Sequence, residues 1–141
     1  SFKKKIASVK QLANIENPQS IILLDALLAS KLYYQKADKS VVIINKKENK
    51  YELFSPLDNT KIGLVEKKTI KKIRTNNKLR KTIRTLLAQK KITHSDLNIR
   101  QAALKEILTS NDAALLPVLQ QAKKDESDAS QKDLLTLAIA L

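Results

Sequence analysis

Shifted by 95 positions, the start of this chain lies over its end without a gap. Ala7, Val9, Lys10, Leu12, Ala13, Asn17 and Leu24 fall on Ala102, Leu104, Lys105, Ile107, Leu108, Asp112 and Leu119. Each copy reads as a helix, a short polar turn holding a cap residue, and a second helix with leucine pairs. Ile6, Val9 and Leu12-Ala13 recur at helical spacing in the first helix. Asn17-Pro18 then offers a side-chain acceptor at the N-cap and a proline at the first helical position, where its missing N–H costs nothing. Ile21, Leu24, Leu27 and Leu28 form the next apolar face. Helical hairpins of this kind are the unit of HEAT- and armadillo-type solenoids, although any two antiparallel helix pairs share some of this pattern.

Between the copies the period changes. Leu32–Gln35, Val41–Ile44 and Tyr51–Phe54 are short β-branched or aromatic runs, separated by Ala37-Asp38-Lys39-Ser40 and Lys46-Lys47-Glu48-Asn49. Pro56 and Asp58-Asn59-Thr60 mark another turn, and Ile62–Val65 reads as a last strand. The expectation is an antiparallel meander of three or four strands, with Tyr33, Tyr34, Tyr51 and Phe54 as cross-strand pairs. So small a sheet must lean on helices. One Gly and three Pro leave little material for left-handed turns, which favours helix elsewhere.

The predicted fold class is therefore mainly α, with a small inserted antiparallel β meander and HEAT-like helical hairpins at both ends. One domain is expected over residues 1–141: a hairpin at 1–31, the meander at 32–65, a basic helix at 66–91, and a second hairpin plus C-terminal helix at 95–141. The C-terminal run "LLTLAIAL" reads as a last amphipathic helix, or as a sign that the full-length chain runs on. The absence of Met from the whole sequence suggests a processed or excised piece, and no window is apolar enough for a membrane span.

The net charge of +13 is concentrated. Residues 67–95 hold eleven Lys and Arg and no acid, whereas the rest of the chain is close to balance. Ile70, Ile73, Asn76, Leu79, Ile83 and Leu86 or Leu87 trace one stripe of the expected helix. Lys67, Lys71, Arg74, Lys78 and Lys81 trace the opposite face, and Arg84 continues the run. These six cations are the candidate partner-binding residues. Three readings stay open for them: a solvated face, a docking face for protein or anionic lipid, and a nucleic-acid surface. The last is disfavoured, since no aromatic is interleaved with the cations and no helix-turn-helix or zinc pattern accompanies them. Asn76 and Asn77 need a reason in mid-helix. Either Asn76 bonds the backbone of the meander, or the helix breaks there and Asn77 caps a second one. Asn76, Asn77, Asn17 and Asp112 are the candidate structural residues.

Catalytic and metal chemistry find little support. His94, the single histidine, lies in a predicted turn and reads as a surface residue, with Ser95 or Asp96 capping the helix that follows. One glycine cannot build a glycine-rich phosphate loop. Asp125-Glu126-Ser127-Asp128 lacks the spacing of a calcium loop and reads as a solvated inter-helix loop. Without cysteine there is no disulfide and no thiolate site. No enzyme activity and no cofactor are expected.

The order of these pieces resembles a known family. "LYYQKAD…VVIIN", a meander ending in "TKIGLVE", then "KIRTNNKLRKTIR" and "HSDLNIRQAALKEILTSNDAALLPVLQQA" are similar to the N-terminal extracytoplasmic domain of the urea-type ABC transporter permease, the subunit allied to branched-chain amino-acid permeases. Leu32-Tyr33 with Lys36, Arg74-x-Asn76-Asn77-x-Leu79-Arg80, and Asp96-x-x-x-Arg100-x-Ala102-Ala103 leading to Leu115-Leu116-Pro117 carry the likeness, which covers the whole chain. Lys39 and Lys61 stand where the family often has Gly, and Ala113 where Pro is common. The resemblance implies an exported accessory domain ahead of the membrane-spanning permease, in a transporter that imports urea or a related short amide. Its implied partners are the rest of the permease, a periplasmic solute-binding protein, or anionic lipid head groups. The competing expectation is a cytoplasmic HEAT-like nucleic-acid-binding module.

Overall fold

The structure, a computed structural model, describes residues 1–14 and 17–141. The side chain of Leu12 falls outside the described part. The described chain forms two compact units, Ser1–Ile83 and Arg84–Leu141. It is mixed α/β, with six α-helices and a five-stranded antiparallel sheet among the described residues.

The first unit opens with α1 (Phe2–Ala13) and α2 (Pro18–Leu28). Asn17 caps α2 as expected. Its side chain accepts from Gln19 N at 3.0 Å, and Pro18 stands at the start of the helix. Leu24 and Leu27 are buried, and α2 lies against the first strand. The helix ends with Lys31 N donating to Ala26 O (2.8 Å) and Ser30 N to Leu27 O (3.2 Å), with Ser30 in the left-handed region (φ 60). This pattern is a Schellman termination built on serine instead of glycine.

The strands are β1 (Leu32–Gln35), β2 (Val41–Lys47), β3 (Lys50–Phe54), β4 (Lys61–Glu66) and β5 (Ile70–Lys72), in the order β4-β3-β2-β1-β5. Because side chains alternate between faces, the register sets Tyr33, Val42, Ile44, Tyr51, Leu53, Val65 and Ile70 on one face, where they form an apolar cluster. Leu32, Ile43 and Phe54 make a row on the other. Val42 and Ile44 are thus buried on one side of β2, and Ile43 on the other. Truncating a core side chain such as Leu53 to Ala would cost about 2–5 kcal/mol. The expected aromatic pairing is present as Tyr33 and Tyr51, with ring centroids 6.1 Å apart. They flank β2 and do not sit on adjacent strands.

Two hairpin loops have the same construction. In Gln35–Ser40 and Ser55–Thr60 the first residue's N–H bonds the sixth residue's carbonyl, and the fifth residue's N–H bonds back to the first carbonyl. The fifth residue is left-handed, Lys39 at φ 62 and Asn59 at φ 60. The fourth is an aspartate that accepts from both N–H and hydroxyl of the sixth: Asp38 from Ser40 (2.9 and 2.7 Å), Asp58 from Thr60 (3.1 and 2.7 Å). The sequence Asp-x-Ser/Thr therefore replaces glycine as the turn former. Scarce glycine was expected to disfavour left-handed turns, yet among the described residues Ser30, Lys39, Glu48, Asn59 and Asn111 take positive φ angles in its place.

The expected basic helix at 66–91 is not one helix. Glu66 ends β4, Lys67–Thr69 is a 3-10 turn, and Ile70–Lys72 is the edge strand β5. Only then does α3 (Asn77–Ile92) begin. β5 is antiparallel to β1, with Tyr33 opposite Lys72 and Gln35 opposite Ile70. The pairing is extended by Lys36 N to Thr69 O and Ile73 N to Leu32 O, both 3.0 Å. Thr69, Ile70, Ile73 and Thr75 are β-branched, and β1 would otherwise present an unpaired edge; together these outweigh the helical spacing of the stripe.

The second unit holds the rest of α3, then α4 (Leu97–Ser110), a 3-10 turn (Ala113–Leu115), α5 (Leu116–Asp125) and α6 (Ala129–Ala140). Its core joins Ile92, Leu104, Ile107, Val118, Leu119 and Leu135, with Leu135 wholly buried. Asp96, not Ser95, caps α4 by accepting from Asn98 N at 2.8 Å. Asp112 accepts from Ala114 N at 3.0 Å, capping the 3-10 turn that leads into α5. The C-terminal run is a helix, as expected, with Leu135 and Ala138 buried and Leu134 and Leu137 exposed. No described helix is long and apolar enough to cross a membrane.

Candidate interaction surface

The six candidate cations do not share a helix face. Lys67 lies in the 3-10 turn, Lys71 at the centre of β5, Arg74 in the link, and Lys78 and Lys81 in the first turns of α3; all five are exposed. Arg84, also exposed, belongs to the second unit. A strand sends successive side chains to opposite faces, so Lys71 and Lys72 leave β5 on opposite sides of the sheet. The result is a cationic rim around the β5 edge of the sheet. Lys68 and Lys72, absent from the expected set, are exposed members of it. Glu66 is the neighbouring acid, and it pairs with Lys68 at 3.3 Å.

The fold also brings residues to this rim from β1. Tyr34 stands directly opposite Lys71, and Tyr33 opposite Lys72. Lys36 is exposed and bonds the 3-10 turn through its backbone, while Lys39 places its ammonium 5.2 Å from the centre of the Tyr34 ring. No aromatic is interleaved with these cations in sequence, yet tyrosines adjoin them in space. Nothing in the linear pattern signals this, because the β1–β5 pairing spans more than thirty residues. The link is fixed in turn by Lys5, whose ammonium donates to Arg74 O at 2.8 Å.

Asn76 begins α3 and does not serve the meander. Its Oδ1 accepts from Leu79 N at 2.8 Å, and its carbonyl accepts from Arg80 N at 2.9 Å. Asn76 is thus the cap, and Asn77 the first helical residue. The expectation of a break here was right in kind and one residue late. Leu79 and Ile83, next along the stripe, are wholly buried.

A second polar centre lies in the second unit, where a solvated acidic loop was expected. The Glu126 side chain is only 2% exposed and that of Arg100 13%. Arg100 Nε and Nη2 donate to Glu126 Oε1 and Oε2 at 2.9 and 3.0 Å, and Nη1 donates to the carbonyls of His94 and Ser95 at 2.9 and 3.0 Å. Glu126 Oε2 also accepts from Asp128 N (3.0 Å), and Asp128 caps α6 through Gln131 N (2.9 Å). Buried Gln131 returns a bond to the carbonyl of Arg100 at 3.2 Å. Burial raises the Glu126 pKa, but the Arg100 bonds and the Asp128 N–H outweigh it, and the carboxyl titrates below its usual range. The network joins the turn before α4 to the turn before α6. A groove of about 230 Å³ opens beside it, lined by Thr93, His94, Glu126 and Ser127 among others. His94 is half-buried, and its Nδ1 accepts from Asp96 N at 3.0 Å. Both ends of this site were visible as Arg100 and an acidic loop, but a bond spanning 26 residues leaves no periodic trace.

On the sheet, Glu52 holds an analogous position near the surface. Lys61 (3.0 Å), Lys47 (3.7 Å) and Asn45 (3.2 Å) surround its carboxylate. The Lys61 bond is the main cause that lowers its pKa. Among the described residues no group of His, Cys, Asp or Glu is arranged to hold a metal ion.

Compared with known protein families, curated proteins and solved structures, the chain finds no match.

Proposed function

We propose that the chain is a non-catalytic accessory module that docks on an anionic membrane surface through the rim around β5 and the start of α3. One observation carries this reading. Seven exposed cations, Lys67, Lys68, Lys71, Lys72, Arg74, Lys78 and Lys81, lie between the end of β4 and the second turn of α3, and the adjacent acid is already paired. Clusters of four to eight basic residues favour anionic head groups by about 1 kcal/mol for each cation brought to the surface. The sequence resemblance to the extracytoplasmic domain of a urea-type ABC permease supports a membrane as the nearest anionic surface. In that setting the module accompanies a permease for urea or a short-chain amide, on the outer side of the inner membrane.

We also read the helix pairs as HEAT-like. Supporting this, α1 shifted by 95 starts where α4 starts, Asn17 falls on the capping Asp112, and α2 falls on the 3-10 turn and α5.

The test is a titration against vesicles carrying roughly a third anionic lipid, against neutral vesicles, and against duplex and single-stranded nucleic acid. Binding to anionic vesicles alone, weakening as salt screens the contact, is the expected result. Absence of vesicle binding at low salt overturns the proposal. Tighter binding to nucleic acid with a steep salt slope favours the cytoplasmic nucleic-acid module, and selective capture by an acidic solute-binding protein assigns the rim to a protein partner.

A further inference from the structure

The face of the sheet that carries Leu32 and Ile43 runs one row further along β1 and β2. Those two side chains are buried, but the next pair, Tyr34 on β1 and Val41 opposite it on β2, is not. Tyr34 is half-buried and Val41 is 40% exposed. Cross-strand partners share a face, so Lys71, opposite Tyr34 on β5, completes a row that reads lysine, tyrosine, valine across three strands. The turn beside the row adds charge. Lys36 and Lys39 are exposed, and the Lys39 ammonium stands 5.2 Å from the centre of the Tyr34 ring. The one acid of this turn, Asp38, is bonded to the Ser40 N–H and hydroxyl. An amphipathic aromatic and an aliphatic side chain thus lie among cations, a combination that suits the boundary between lipid head groups and acyl chains.

We infer that Tyr34 and Val41 enter an anionic bilayer at the level where head groups meet acyl chains, while Lys36, Lys39 and Lys71 reach the phosphates on their aliphatic stems. The inference rests on the membrane reading of the basic rim and names the side chains that pass below the head groups there. Charge selects this row over the more exposed Leu64 on β4, which is 51% exposed. Around β4, Lys47 and Lys61 are held by Glu52 and Lys68 by Glu66, whereas Lys36, Lys39 and Lys71 pair with no carboxylate among the described residues. Unpaired cations are the ones an anionic surface attracts. A nucleic-acid base is the less compatible ligand, because it stacks on a bare aromatic face and Lys39 already lies over the Tyr34 ring.

The chain contains no tryptophan, so one introduced indole reports one position. Full-length Val41→Trp and Leu64→Trp are each titrated with vesicles of phosphatidylglycerol and phosphatidylcholine, plain or brominated on the upper acyl chain. The expected result is a blue shift and quenching by brominated lipid for Val41→Trp, with little of either for Leu64→Trp. Val41→Ser leaves every charge in place. It should weaken vesicle binding about three- to eightfold, the part of a valine's burial still open at 40% exposure, with the salt dependence unchanged. Both positions are exposed, so an unchanged circular dichroism spectrum confirms that the variants fold. Vesicle binding by Val41→Trp with an unquenched indole, or unchanged affinity of Val41→Ser, overturns the inference and leaves the docking reading intact. No vesicle binding by the wild-type chain overturns both. Quenching as strong in Leu64→Trp as in Val41→Trp overturns it by assigning insertion to β4. Quenching of Val41→Trp by a single-stranded oligonucleotide and not by lipid overturns it in favour of nucleic acid.

Discussion

Replacing Glu126 by Gln removes one partner of a buried pair and leaves the other in place. Gln can accept from Arg100 through one oxygen only, so one of the two parallel bonds at 2.9 and 3.0 Å is lost, and with it the charge that balances a guanidinium 13% exposed. Breaking one side of a buried ion pair costs about 3–5 kcal/mol. The guanidinium keeps the His94 and Ser95 carbonyls as partners, which puts the expected loss at the lower end, about 3 kcal/mol. For a unit of roughly 60–100 residues each kcal/mol shifts Tm by about 4–8 °C, so a fall of about 12–24 °C is expected. Location can be read as well as size. All five aromatics lie in the first unit, so tyrosine absorbance follows that unit, while amide exchange across α4 to α6 follows the second. The exchange rates should rise with the tyrosine transition little changed. Arg100→Met combined with Glu126→Leu should recover part of the loss, because an apolar pair leaves no uncompensated charge. A Tm change below about 3 °C for Glu126→Gln, or a double variant no better than the single, would refute the view that this pair holds the second unit together.

Other expectations are smaller. Gly63→Thr should stabilise the chain by about 0.5–1 kcal/mol in urea denaturation, since the strand position has open space and glycine there costs backbone entropy; a loss would contradict the reading of Gly63 as sterically unconstrained. Ser30→Gly and Lys39→Gly should each add up to about 1 kcal/mol by relieving a left-handed backbone at φ 60 and 62, whereas a β-branched residue at either site should lower Tm. Stability should fall on acidification. Asp38, Asp58, Glu52 and Glu126 all titrate below their usual values, Asp38 and Asp58 chiefly through the Ser40 and Thr60 hydroxyls and Glu52 through Lys61, while at Glu126 burial opposes and the Arg100 bonds prevail. A depressed folded-state pKa contributes stability that is full above the unfolded value and lost as pH drops through the folded one. Urea midpoints should therefore be flat near neutrality and decline below about pH 5, and a midpoint that rises on acidification would contradict these assignments.

What the sequence disclosed, and what it hid, follows the range of the interactions. Asn17, Asp96 and Asp112 act within two residues of themselves, and their caps were readable as local chemistry. The first four strands were visible as β-branched runs between turns. β5 was not, because Ile70, Ile73 and the lysines around them also fit a helical stripe, and only the unpaired edge of β1 decides against it. Asn76 itself carried the missing signal: a side-chain acceptor three residues before buried Leu79 marks a helix start better than a helix interior. Glu126 misled for the opposite reason. Four polar residues in a row look solvated until Arg100 arrives from another helix. The cationic segment was legible as charge, but not as a rim around a sheet edge with Tyr34 beside it.

Vesicle binding by matched charge-reversal variants tests the central claim most directly. Lys71, Lys72 and Arg74 are changed to Glu in one variant. Three lysines of the second unit, Lys123, Lys124 and Lys132, are changed in a control. If the rim is the docking surface, the first variant loses most of its affinity for anionic vesicles at physiological salt, at least a hundredfold on about 1 kcal/mol for each cation, and the control loses severalfold at most. Equal losses, scaling only with net charge, would contradict it.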